Sequence, residues 1–580
     1  STVKSKSRNS ATISLRGKND VPVVLKRPEP FPDRASLSVG VSDLAAGPEP
    51  RPKARARFKF LHEALGTLTE ADRRLFGLFG SGEQIAPDFP LVHAGIEYWA
   101  SVQPDAPAAE HLGDIITYRD LDRQAARLAS ILLESNIRPG DNVALFLRRS
   151  IPMLVGILAC LKIGAAYVPA DVKVVPGRQL RQMVRCAKAR IILTASCYAS
   201  LIPDCGQDAA LCVDEIMAAP ISGTFDLRLP RPVNPKDNCF VLFTSGTTGT
   251  PNGVQVTHAN VCNILLTAPG NLGMRPGRKV SQLLSIGFDM AAWETLGALA
   301  NGATLVIRGR DFTEAASQAD IIIATPSILS RVDISRCNRV KTVAVAGEPC
   351  PKPIADAWGA ICNFHNSCGP TETTIVNTMQ LYNPAVGQLT IGRPTPNNTV
   401  YILDEEMNPC PIGEIGEMWA GGACVTGGYL ENDELNDERY RPDPFIGGNA
   451  RMFRTRDLGR WTSSGELEHL GRTDDQVKVR GFRVELDGVS AALERTPGVS
   501  RAITLKLDDR NLISFISPAG CPPEAAREMV KSALPYYCVP ARVIALDEFP
   551  CTPRGKVDKR LLLKIAGERL RDALVPEATQ

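Results

Sequence analysis

The 580-residue sequence predicts an α/β fold: a large N-terminal portion of helix-covered sheets with a small β-rich unit, followed by a small α+β unit at the C-terminus. Three observations predict it. Apolar runs of strand length alternate with helical patterns from about residue 115 to 346, short strands and turns dominate after about residue 385, and the last hundred residues mix both again.

The elements follow in chain order. Residues 1 to about 57 are rich in Lys, Arg, Ser and Pro, and Gly47-Pro-Glu-Pro-Arg-Pro52 reads as a linker or arm with no core to bury, carrying one short strand at Val21 to Leu25. Such a basic arm also fits contact with nucleic acid, although a solvated linker is the simpler reading. From Thr117 an apolar stripe through Leu121, Ala125, Leu128 and Leu132 predicts a helix, and Pro139-Gly140 turns into the strand Val143 to Leu147. A second apolar helix, Pro152 to Ile163, leads to Ala165-Ala-Tyr-Val-Pro-Ala-Asp171. Further strands are predicted at Ile191 to Thr194, Cys239 to Phe243, Thr304 to Ile307, Ile321 to Ala324 and Thr342 to Ala346. The alternation argues for parallel sheets with ligands at the carboxyl ends of their strands. Val400 to Leu403 and Gly416 to Ala420 belong to the β-rich unit, and the polar tract Gly471-Arg-Thr-Asp-Asp-Gln476 separates it from the tail.

Bulk properties narrow the function. At roughly 150 residues per domain the length implies three or four units. A net charge of +3 with 22% charged residues points away from a nucleic-acid groove or a membrane surface and towards small-molecule chemistry. The sixteen cysteines never occur as Cys-x-x-Cys and the six histidines are scattered, so neither a zinc constellation nor a secreted disulfide framework is expected. The longest apolar run, Ile151 to Leu161, is too short to span a bilayer, and no signal-peptide block opens the sequence; a cytoplasmic protein is the expectation.

Residues 243 to 254, Phe-Thr-Ser-Gly-Thr-Thr-Gly-Thr-Pro-Asn-Gly-Val, form a Gly/Ser/Thr tract after an apolar run. Gly246, Gly249 and Gly253 permit backbone angles closed to other residues, so successive N–H groups can converge on an anion, and Thr244, Ser245, Thr247 and Thr248 add neutral donors. The order GxxxxGK[ST] is missing, which argues against a Walker-type site. Taken alone, the tract equally fits a plain surface loop.

Other segments decide between these readings. Tyr167-Val-Pro-Ala-Asp171, Thr244 to Val254, Phe288-Asp289, Asn366-Ser-Cys-Gly-Pro-Thr-Glu-Thr373, Gly428-Tyr-Leu430, Arg454-Thr-Arg-Asp-Leu458, Gly471-Arg-Thr-Asp474, Gln476-Val-Lys-Val-Arg-Gly481 and Pro553-Arg-Gly-Lys-Val-Asp558 occur in this order over about three-quarters of the chain. The set resembles adenylate-forming enzymes, and more narrowly the adenylation domain of a nonribosomal peptide synthetase, with a weaker likeness to fungal siderophore synthetases. The resemblance implies a lead-in over 1–74, an ATP- and amino-acid-binding core over 75–474, and a small mobile α+β lid over 475–580 that swings about a hinge at Asp474.

It also implies roles. Thr244, Ser245, Gly246, Thr247, Thr248, Gly249, Gly369, Thr371, Asp457 and Arg472 would bind ATP, with Asp457 accepting both ribose hydroxyls. Glu372 would help hold Mg²⁺, a hard cation that prefers oxygen. Lys556 would bring its ammonium to the substrate carboxylate and the bridging oxygen as the adenylate forms, so catalysis would rest on positioning and electrostatics. Asp289 would pair with the α-ammonium of an amino acid, although a helix-capping Asp is the bland alternative. Met290, Trp293, Ala324, Ala344, Ala346, Ser367, Ile375 and Val376 would complete the pocket. Three alanines and a serine leave room for a bulky, extended side chain such as an acylated hydroxyornithine, unless other core side chains fill that room.

The product would pass to the phosphopantetheine thiol of a carrier protein. The sequence shows neither a carrier Gly-Gly-x-Ser nor the HHxxxDG condensation motif, so it reads as a monomeric domain excised from a synthetase whose carrier and condensation domains are its partners. A stand-alone acyl- or aryl-CoA ligase is the enzymatic alternative, and a non-catalytic binding module is the third. Four positions depart from the family pattern: Asn252 replaces a loop Lys, Cys368 a Tyr, Arg456 a Gly and Arg554 an Asn. The first two place triphosphate contact and adenine stacking in question, and Arg456 is a candidate replacement for the loop cation.

Overall fold

The computed structural model describes residues 58–244, 251–474, 476–550 and 557–572, all within one compact unit, Arg55–Gln580. The predicted strand Val21 to Leu25, Ser245, Gly246, Thr247, Thr248, Gly249, Arg554 and Lys556 lie outside the described residues.

Two mostly parallel sheets form the large portion. The first has six strands, in the order Ala209–Cys212, Ile191–Thr194, Asn142–Leu147, Ala166–Asp171, Asn238–Thr244, Asn252–Thr257; only the last pair is antiparallel. The second has nine, and its parallel centre runs Asn363–Cys368, Thr342–Val345, Ile321–Ala324, Lys279–Gln282, Thr304–Ile307, Pro107–His111. Antiparallel strands close both of its ends. The helices on these sheets form for local reasons. Helix Tyr118–Glu134 is capped by Thr117, whose hydroxyl accepts from the Asp120 N–H at 3.1 Å, and its Leu121, Ala125, Leu128 and Leu132 stripe is buried. Helix Ile151–Lys162 is buried on every side. Its one charge, Lys162, is matched by Glu97 at 2.6 Å and Asp122 at 2.7 Å, which offsets the cost of removing an ammonium from water.

The β-rich unit is a five-stranded antiparallel sheet built on Asn398–Leu403, Gly416–Gly422, Tyr440–Pro442, Arg451–Trp461 and Leu467–Arg472. Helix Glu70–Phe79 lies across the boundary expected at residue 74, and its Phe76 stacks on Tyr401 at 5.6 Å and meets Phe445 at 5.3 Å. Beyond residue 475 the chain forms the hairpin Gln476–Val479/Phe482–Glu485, then the three-stranded sheet Arg501–Lys506, Leu512–Ser517, Arg542–Ala545 with its helices. Two apolar clusters in this part draw only on residues after 476, so the C-terminal unit carries its own core.

Candidate active site

The carboxyl ends of the parallel strands in both sheets, the end of the β-rich unit and the C-terminal hairpin enclose a cavity of about 540 Å³. Thr244, Asp289, Met290, Ala346, Ser367, Gly369, Thr371, Ile375, Asp457 and Arg472 all line it. Sequence positions spread over more than two hundred residues thus meet in one space.

Asp289 opens helix Asp289–Ala300. The loop that delivers it is pinned by Glu294, a buried carboxylate that accepts from the N–H groups of Leu283 at 2.7 Å and Leu284 at 3.3 Å. Burial pushes the Asp289 carboxyl up to about 6, against the opposing pull of the Lys478 ammonium, the Thr371 hydroxyl and the Met290 N–H, all of which favour the charged form. Asp289 is the first residue of the helix, whose N-cap is Phe288 with no side-chain cap hydrogen bond, and its side chain is partly exposed to the cavity.

Asp457 lies on strand Arg451–Trp461, where its Oδ1 accepts from Arg472 at 2.8 Å and faces His469 Nε2 at 3.1 Å. Burial alone would raise its pKa, but these two partners outweigh burial and hold the carboxyl below its ordinary value. Arg472 also forks onto Asp474 with two contacts of 2.8 Å. A continuous chain Asp457–Arg472–Asp474 therefore ties the cavity floor to the position expected as the hinge. Arg456 pairs with Glu438 and reaches Asp474 at 3.5 Å, so its guanidinium serves this polar chain. The Asn252 side chain accepts from Asn432 at 3.1 Å, Gly253 sits in a strand opposite Phe243, and the Cys368 thiol borders the cavity, pushed up to about 12 by burial.

Four expected pocket residues are placed behind the wall. Trp293 is fully buried with its indole N–H donating to the Gly270 carbonyl at 2.7 Å, and Ala324, Ala344 and Val376 pack into the apolar core. Ser367 does reach the cavity. Its hydroxyl is buried and has no hydrogen-bond partner among the described residues.

Glu372 stands apart from the cavity surface, fully buried in the turn after Gly369-Pro370. Its Oε1 accepts from Tyr429 at 2.6 Å and Arg483 at 3.0 Å, and its Oε2 from Arg483 at 2.9 Å. Burial alone would raise its pKa; Arg483 and Arg439 reverse that and hold it at about 2. Saturated in this way, the carboxylate does not fit a metal ion while the hairpin is docked, and no cluster of three or more His, Cys, Asp or Glu suited to a metal occurs among the described residues.

Two features are not among the sequence expectations. Lys478 and Arg483 enter the site from the hairpin, although Gln476-Val-Lys-Val-Arg-Gly481 was available as a motif. Thr374 and Ile375 are consecutive β-branched residues at φ 57° and 70°, in the left-handed region such side chains avoid. Ile375 lines the cavity and the Thr374 hydroxyl is anchored on the Cys424 carbonyl at 2.7 Å, so this strained turn is held by its surroundings beside the site. At Gly369 an added Cβ would lie 2.6 Å from the Val376 backbone, which explains the glycine by close approach.

Comparison with known proteins completes the description. Residues 96–430 match the AMP-binding enzyme family. The chain is 46% identical over 508 residues to adenylate-forming reductase 06235 of Coprinopsis cinerea, covering 87% of this chain and 49% of that protein. It is 34% identical to the nonribosomal peptide synthetase sirP of Leptosphaeria maculans, over 82% of this chain and 22% of that one. The chain thus spans about half the length, or less, of these curated relatives. Its fold matches that of an artificially fused adenylation-PCP di-domain protein from Klebsiella oxytoca, with a TM-score of 0.69 at 23% identity, over 78% of this chain and 93% of that one. No helix among the described residues is long and apolar enough to cross a membrane. With the family match covering more than half of its length, the chain belongs to the AMP-binding enzyme family and is an ATP-dependent adenylate-forming enzyme.

Proposed function

We propose that this enzyme activates an α-amino acid. A carboxylate oxygen of the substrate attacks the α-phosphorus of ATP, the bond to the bridging oxygen breaks, and pyrophosphate leaves an aminoacyl adenylate. The observation that carries the reading is Asp289, a half-buried carboxylate that lines the same cavity as Asp457 and Arg472. An ammonium within reach of Asp289 gains a charge-assisted pair in a poorly solvated setting and adds to the Lys478 ammonium, whereas a plain acid offers that carboxylate no such partner. Asp457 and Arg472 orient the nucleotide, and Thr371 orients Asp289. Lys556 neutralises charge on the transferring group, a role that rests on the resemblance.

Met290, Ala346 and Ile375 supply an apolar wall, and the unpartnered Ser367 hydroxyl favours a side chain that carries a hydrogen-bonding group. An acylated hydroxyornithine combines length with such groups and belongs in the first substrate panel. The adenylate then passes to the phosphopantetheine thiol of a carrier. The 46% and 44% identities to adenylate-forming reductases favour a parent protein in which a reductase, rather than a condensation domain, receives the carrier-bound acyl group.

ATP/pyrophosphate exchange across amino acids and their des-amino counterparts tests the reading. Exchange confined to amino acids supports it; equal exchange with des-amino acids defeats it in favour of an acyl-CoA ligase, which CoA dependence would then show.

A further inference from the structure

His469 stands outside every motif that points to the nucleotide, yet it lines the cavity and meets Asp457 there. The meeting depends on an irregularity in the β-rich sheet. Strand Arg451–Trp461 pairs with strand Leu467–Arg472, with Asp457 opposite Arg472 and Gly459 opposite His469. Between these two pairs Leu458 alone spans the gap that Leu470 and Gly471 fill on the other strand, a β-bulge. In a regular strand, residues three apart point to opposite faces. The extra residue brings His469 and Arg472 to the same face as Asp457, and Gly471 takes up the change at a φ of 107°, a conformation that favours glycine.

Hydrogen bonds fix the ring at both ends. Its Nδ1 accepts from the Gly471 N–H at 3.3 Å, so in the neutral ring the proton sits on Nε2 and is donated to Asp457 Oδ1 at 3.1 Å. Arg472 donates to the same oxygen at 2.8 Å through Nη1 alone, because its other two nitrogens are committed to Asp474. A carboxylate held by that single contact can still turn about it. The imidazole is the second point of attachment, and it leaves Oδ2 as the oxygen available to a ligand in the cavity. We propose that His469 is a positioning residue for the nucleotide: its Nε2–H fixes the Asp457 carboxylate so that Oδ2 meets the ribose hydroxyls of ATP. The inference rests on Asp457 as the ribose acceptor and is independent of the acid that is activated.

The test is calorimetry of ATP, 2′-deoxy-ATP and 3′-deoxy-ATP, without amino acid, on the full chain and on His469→Phe, His469→Gln and Asp457→Ala. Wild type should favour ATP over both deoxynucleotides, and removal of the donor in His469→Phe should cut that preference about tenfold. In pyrophosphate exchange the same variant should raise KM for ATP and nearly keep kcat, the mark of an interaction equally strong in ground and transition states. His469→Gln, which keeps an N–H donor near the Nε2 position, should restore both. A merely structural role weakens all three nucleotides in parallel; that result overturns the proposal, as does an unchanged preference in His469→Phe or a folded His469→Gln that fails to rescue. Wild type binding all three nucleotides alike defeats the ribose reading of Asp457 and the inference with it, whereas a preference lost in Asp457→Ala but kept in His469→Phe defeats the inference alone. If His469→Phe does not fold, ¹⁵N-histidine spectra of wild type decide, with His469 identified by its absence from His469→Gln. A neutral ring protonated on Nε2 that shifts on adding ATP supports the proposal, and a ring protonated on Nδ1 or unmoved by ATP overturns it.

Discussion

At the scale of single residues, Asp289 bears the most weight. Burial pushes its carboxyl up to about 6, so the protonated form persists well above the ordinary Asp range. A substrate ammonium needs the ionised form. Amino-acid binding should therefore strengthen as pH rises through about 6, and kcat/KM for exchange should climb between pH 5 and 7 and then level off. Asp289→Asn should remove that rise and lower kcat/KM by roughly 10- to 100-fold, in line with about 1.5–3 kcal/mol for a charged hydrogen bond. A flat wild-type profile over this range would tell against the pairing. For Lys556→Ala we expect a loss of roughly 100- to 1000-fold in exchange with ATP binding retained, read by comparing turnover with nucleotide calorimetry. Asp289, Asp457 and Arg472, which stand in three separate motifs of the sequence, line one cavity. Trp293 shows where that reasoning stops. Four residues after Asp289 on a helix buried all round, it satisfies its N–H on Gly270, and no periodicity says which face of such a helix borders the cavity.

At the scale of elements, the apolar strands were readable because burial on both faces demands continuous hydrophobic runs, as in Asn142–Leu147 and Ile321–Ala324. The hairpin Gln476–Glu485 was not. It is short and charged, and an Arg-Gly turn is a weaker hairpin signal than Asn-Gly. Nor does any propensity announce Thr374-Ile375, where tertiary contacts override the local preference of β-branched residues. The hairpin yields two predictions. Gly481→Ala places a side chain at φ 85° with its Cβ 3.1 Å from Thr325, so it should undock the hairpin and speed proteolysis around residues 471–476 several-fold. The Glu372 carboxyl, held at about 2 against an ordinary 4.5, stabilises the fold above its unfolded pKa, and that contribution fades as pH falls through 4 towards 2. Glu372→Gln should accordingly flatten the acid limb of a stability profile measured by chemical denaturation between pH 2 and 5; an unchanged limb would show that the Arg483 contact contributes nothing to stability.

For the whole molecule, the separate apolar clusters of the C-terminal unit predict that it unfolds apart from the core. Differential scanning calorimetry should resolve two transitions, with ATP and substrate at about 100 times their Kd raising the stability of the core by about 2.7 kcal/mol. One transition insensitive to ligand would contradict that division. A polar break at Gly471 to Gln476 is visible in the sequence, but the contact of the following hairpin with Glu372 is not, because such a contact is set by packing between distant segments. The central claim is that a half-buried carboxylate, Asp289, selects an ammonium-bearing acid for adenylation. ATP/pyrophosphate exchange on wild type and Asp289→Asn, with matched amino and des-amino acids, tests it most directly. The account predicts that wild type favours the amino acid by at least about tenfold and that Asp289→Asn erases the difference. Equal rates for both acids in wild type, or a preference that survives in Asp289→Asn, would contradict it.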